Sequence, residues 1–175
     1  MPSAVKIALF AALAASLAAC AGDQGPPPGQ PSFYRSLAST GAELDSAAAA
    51  SMISGYRQNN GLSPVALDPT LMRLADEQAR AMVARDKIDH DAKGEFSKRM
   101  KASGFDAKVA VENVSAGYHT LAEAFSGWRD SPPHRANMLK DGVTRIGIAA
   151  VYTPNSKYKV FWALILATPD DGTKG

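Results

Sequence analysis

The chain has 175 residues, 46% of them hydrophobic and 21% charged, with 19 Lys and Arg against 17 Asp and Glu. That balance fits one ordinary globular domain and excludes wholesale disorder, and a net charge of +2 is too small and too scattered to serve as a footprint for nucleic acid. The single Cys excludes an internal disulfide framework and any multi-cysteine zinc ribbon or knuckle.

Lys6 precedes an apolar run over residues 7–19 that ends at Cys20. About 13 apolar residues rise only ~20 Å as a helix, against roughly 20 residues needed to span a bilayer. The run therefore reads as a secretory signal over residues 1–19, not as a membrane span. Leu17, Ala18, Ala19 and Cys20 resemble the lipobox of bacterial lipoproteins, in which cleavage precedes a cysteine that carries a diacylglyceryl group. The alternative is ordinary cleavage that leaves a free thiol. Each buried CH₂ of an attached acyl chain contributes ~0.8 kcal/mol, so palmitate-type chains on Cys20 predict firm attachment to a membrane. Ala21, rather than Asp, follows that cysteine. In a two-membrane cell this predicts the outer membrane, with the protein facing the periplasm.

Residues 21–32 contain four Pro and three Gly in twelve positions. Such a segment cannot bury a core and reads as a spacer, about 3.1 Å per residue where it is polyproline-like. The expected organisation is a lipidated tether over residues 20–41 and one domain over residues 42–170.

In that domain, Thr40 and Glu43 fit a capping box ahead of a first helix whose face is Leu44, Ala48, Met52 and Tyr56, with Gly61 ending it. Asp68 and Pro69 predict the cap and first residue of a second helix, buried through Leu71, Leu74, Ala75, Gln78, Ala79 and Met82. Phe96 and Met100 mark a short third helix closed by Gly104. Thr120 and Glu123 open a fourth that carries Leu121, Ala124, Phe125 and Trp128. Residues 109–114 alternate weakly as a strand. Residues 145–151 and 159–167 form a hairpin bridged by Thr153, Pro154, Asn155 and Ser156. The last strand is apolar on both faces, so it is expected at the centre of a sheet covered on each side. Helices first, a hairpin last and a doubly covered sheet give an α+β fold, a three-layer α-β-α sandwich.

Five short segments stand out: residues 88–91 (IDHD), 111–114 (VENV), 128–139 (WRDSPPHRANML), 145–148 (RIGI) and the closing strand with Phe161 and Trp162. In order and spacing they resemble the CAP superfamily, the cysteine-rich secretory, antigen 5 and pathogenesis-related class 1 proteins, and most closely its bacterial, disulfide-free branch. The resemblance spans about residues 45–168 and rests above all on Ser131, Pro132, His134, Arg135, Asn137 and Leu139. It implies the CAP-type sandwich with a surface cleft holding His90, His134 and Glu112, flanked by Asn113, Asp130, Ser131, Arg135 and Asn137. Two positions depart from the pattern. Ser131 stands where animal and plant members carry a second acid, with Asp130 beside it, and Asp89 precedes the first histidine where Ser is usual.

Two neutral imidazoles and a carboxylate form a reasonable site for a divalent metal such as zinc, with a position left for water. Each histidine lies 22 residues from Glu112, so only the implied fold makes them converge. No HExxH pair, GxSxG elbow or P-loop occurs. The favoured expectation is a membrane-anchored binding module that presents the cleft to a lipid, an envelope polymer or a protein. The alternatives are a metal-dependent hydrolase with Glu112 as general base, and a structural envelope protein with a vestigial cleft.

Overall fold

The computed structural model describes residues 29–170. The leader, Lys6 and the Cys20 lipidation position lie outside the described residues. The chain enters the fold through a 3-10 turn at Ser32–Tyr34, after which Leu37 is buried and Phe33 and Ala38 pack on the core. Folded contacts thus begin ahead of residue 42.

Helix α1 spans Ser46–Gln58, several residues later than its sequence signal. Gly41 sits at φ +77°, and Ala42 N–H donates to Ser39 O, so a turn occupies the positions of the expected capping box. Asp45 is the cap instead, accepting from Ala48 N at 2.9 Å. The buried stripe shifts with it to Ala49, Ala50, Ile53 and Arg57. Helix α2, Pro69–Arg85, starts where Asp68 and Pro69 place it. Asp68 accepts from Thr70 and Leu71, and all six expected residues are buried. Helix α3 spans Phe96–Ala102. Helix α4, Leu121–Asp130, opens with the complete Thr120–Glu123 capping box. Helix α5, Pro132–Met138, follows at once, with two prolines in its first turn.

The sheet contains β1 (Ala66–Leu67), β2 (Ala107–Ala116), β3 (Arg145–Tyr152) and β4 (Val160–Pro169), in the order β1-β3-β4-β2. Strand β1, too short for any alternation to reveal it, pairs parallel to β3, and the other pairings are antiparallel. Strand β4 is internal, and its side chains divide by period two. Phe161, Ala163, Ile165 and Ala167 face α2 with Leu71, Ala75, Ala79 and Met82. Val160, Trp162, Leu164 and Leu166 face α1 and α4 with Ile53, Leu121 and Trp128. The result is the expected three-layer sandwich.

Two features hold the layers at their spacing. Gly147 of β3 lies directly under the Leu71 carbonyl of α2, and any side chain there would strike that backbone. Arg57 is fully buried and donates to four carbonyls, of Ser63, Met138, Lys140 and Val143, which ties α1 to the chain on either side of residue 140.

Candidate functional site

Strand β2 is an edge strand of the sheet, and the three side chains singled out in the sequence gather around it. Helix α2 ends at Asp86, whose left-handed conformation (φ 47°) turns the chain back along the helix. The loop that follows carries His90. Gln78, wholly buried on α2, fixes that loop by donating to Asp89 O at 2.8 Å and His90 O at 3.0 Å, while its Oε1 accepts from Lys93 N. One buried amide that bonds three backbone groups of the same loop acts as a clamp on it.

Glu112 projects from β2 beneath this loop, its side chain 2% exposed. Its Oε1 lies 2.9 Å from His90 Nδ1, and its Oε2 accepts from Arg99 Nη2 at 2.7 Å. Arg99, on α3, also donates through Nε to Gly94 O and through Nη2 to His90 O, and its guanidinium lies over the Phe96 ring. Its Nη1 is buried and has no hydrogen-bond partner among the described residues.

His134 comes from the opposite layer, in the first turn of α5. Asn113 Nδ2 donates to His134 O at 3.0 Å, and Asn137 Nδ2 donates both to Asn113 Oδ1 and to the Glu112 carbonyl. These two amides fasten α5 to the outer edge of β2 and satisfy part of that edge. The closing wall is set by two indoles packed edge to face. Trp128 Nε1 donates to Ser115 Oγ, and Trp162 Nε1 donates to Tyr118 O. His90, His134, Ser115 and Tyr118 line one open cleft of about 340 Å³, together with Ile88, Asp89, Val114 and Ala116. Larger hollows of about 540 and 410 Å³ border α3, but neither is lined by His90 or His134.

The two imidazoles are tuned in opposite directions. The bond to Glu112 raises the pKa of His90 above 6.5, against a smaller downward pull from burial. Burial, followed by the nearby charge of His90, lowers that of His134 below 6.5. The cleft therefore pairs a ring that holds a proton more tightly than an ordinary histidine with one that holds it less tightly.

Other residues selected from the sequence fall elsewhere. Asp130 is exposed and paired with Arg129, whose guanidinium lowers its pKa. It does not replace the second acid of the family pattern. Ser131 joins α4 to α5 as the α5 cap residue, without a side-chain cap bond, and neither it nor the exposed Arg135 lines the cleft. Among the described residues no group of three or more His, Cys, Asp or Glu side chains forms a metal-binding set. Gln78 and Arg99 escape sequence reasoning as site residues. Gln78 stands out only as a polar residue on an apolar stripe, and Arg99 only as a charge between the buried positions of a short helix.

Comparison with known proteins gives a consistent result. Residues 50–166 match the model of the cysteine-rich secretory protein family, CAP. The uncharacterized protein YkwD of Bacillus subtilis is 34% identical over 97 residues, covering 54% of this chain and 38% of that relative. An extracellular protein containing an SCP domain from Bacillus anthracis superposes with a TM-score of 0.61 at 21% identity, over 70% of this chain and 39% of the other. An outer surface protein from Borrelia burgdorferi does so with a TM-score of 0.65 at 19% identity, over 74% of this chain and 98% of the other. The structural likenesses show the fold, and the family match covers well over half of the sequence. The chain belongs to the cysteine-rich secretory protein (CAP) family.

Proposed function

We propose that this is an extracytoplasmic CAP domain, anchored in the cell envelope through lipidated Cys20, whose cleft between His90 and His134 is a binding site. The observation that carries the reading is the state of Glu112. Both of its oxygens are engaged, one by His90 and one by Arg99. It is placed to hold His90, and it is poorly placed to accept a proton from water as a general base or to serve as a third metal ligand. Asp89 also lines the cleft, and its carboxylate is held by Lys87 Nζ and by Asp91 N–H. A hydrolase is therefore the weaker reading.

A divalent cation in the cleft would have two imidazoles to draw on, His90 through Nε2 and His134, with Glu112 bonded behind His90 at Nδ1. A cation bound there would supply a polarised water. The protein's own contribution is to orient one ring and to disfavour protonation of the other. Ile88, Val114, Ala116 and Tyr118 give the cleft apolar walls suited to a lipid or envelope ligand that carries a polar end. The lipobox-like residues 17–20 and the Pro/Gly-rich tether support anchoring, and Ala21 after Cys20 supports the outer membrane of a two-membrane cell, facing the periplasm.

Calorimetric titration of the full-length chain with zinc tests the site. The expected result is one saturable binding event, lost in His90→Ala and in His134→Ala, and weakened by about 10- to 100-fold in Glu112→Gln, as for other groups that orient a ligating histidine. Zinc binding that survives both histidine substitutions, or no saturable heat, contradicts the proposal.

A further inference from the structure

A carboxylate turns about a broad terminal torsion unless both of its oxygens are held. At Glu112 the second oxygen is held by Arg99, and Arg99 is itself held. One edge of its guanidinium donates Nε to Gly94 O at 2.8 Å and Nη2 to His90 O at 3.2 Å as well as to the carboxylate. A single planar group thus grips the backbone of the His90 loop at two points and the carboxylate that receives its imidazole. The Arg99 side chain is 7% exposed, and the Phe96 ring lies against it. A lysine could supply the charge but not three donor contacts in one plane.

We propose that Arg99 is a positioning residue for the cleft, fixing the carboxylate of Glu112 so that His90 keeps its proton on Nδ1 and presents Nε2 to a ligand. The ligand-presenting purpose rests on the binding-module reading, but the fixed tautomer does not. His134 has no counterpart to this arrangement among the described residues. Asn113 holds its backbone carbonyl, and no side-chain carboxylate there is bonded to its ring. The cleft accordingly pairs one oriented imidazole with one that is free to adapt.

Nitrogen NMR of the ring signals in the full-length chain, at about pH 9 where an ordinary histidine is neutral, reads the tautomer directly. In the unsubstituted protein His90 is expected to show a protonated Nδ1 and a bare Nε2. In Arg99→Gln a second population protonated at Nε2 appears, and amides 89–94 exchange roughly tenfold faster as the loop loses its clamp. Arg99→Lys restores the Nδ1 proton in part and leaves the loop exchange fast. Phe96→Leu loosens the packing of α3 without removing a hydrogen bond and leaves the tautomer unchanged. A folded Arg99→Gln protein with His90 still wholly Nδ1-protonated overturns the assignment, as does an equal tautomer change in Phe96→Leu. If Arg99→Gln does not fold, Arg99→Lys decides, and native loop protection in that variant overturns the proposal. Absence of zinc binding together with an intact, Arg99-dependent tautomer removes the binding-module reading and leaves this assignment standing.

Discussion

Replacing Arg57 with Ala is expected to destabilise the domain by about 3–5 kcal/mol, the scale on which breaking a satisfied buried hydrogen-bond network is felt. The side chain is completely buried, and its three nitrogens satisfy four carbonyls drawn from separate parts of the chain. Truncation leaves those carbonyls without their donor and opens a cavity the size of a guanidinium. A change of this size corresponds to a fall in melting temperature of roughly 10–20 °C for a domain of this length. Arg57→Lys recovers little of it, since an ammonium cannot donate in four directions from one planar fork. Urea denaturation measures the loss. A variant within about 1 kcal/mol of the parent would mean that the network is replaced by water at little cost.

Glu112→Ala is expected to be comparably severe, at about 3–5 kcal/mol, for a different reason. The carboxylate is the acceptor for a guanidinium that is itself out of solvent, and without it the Arg99 charge is buried with only carbonyl partners. Glu112→Gln keeps the shape and should fall between Ala and the parent. Both changes also reach the cleft. His90 loses the group that raises its pKa, so its titration returns toward the ordinary value near 6.5. Thermal melts across pH check the linkage. A raised histidine pKa stabilises the fold fully below the unfolded value near 6.5, and that contribution disappears as pH climbs through the raised folded value. The depressed pKa of His134 acts in the opposite sense, its contribution present above 6.5 and lost as pH falls through the lowered value.

Much of the architecture is legible before folding because local chemistry and tertiary packing agree there. Asp68 with Pro69, and Thr120 with Glu123, are caps that form where they are written, and the apolar run ending the domain is buried on both faces as its composition requires. The first helix begins later than its signal because Thr40 and Glu43 carry the pattern of a cap while Gly41 takes a left-handed turn that no periodicity reveals. Strand β1 is two residues long and exists through its pairing with β3. In the cleft, His90, His134 and Glu112 are marked by their motif. Gln78 and Arg99 are not, since a polar side chain that serves backbone carbonyls has no spacing rule. Asp130 is next in sequence to the position of the missing acid, but the end of α4 carries it out to Arg129 and solvent.

One buried carboxylate sets apart two histidines sharing a groove, and a pH titration of their ring resonances in the full-length chain reads that separation. His90 is expected to titrate above 6.5 and His134 below it, with the Glu112→Gln substitution drawing His90 down toward its ordinary value. Two histidines titrating together near 6.5, indifferent to residue 112, would contradict it.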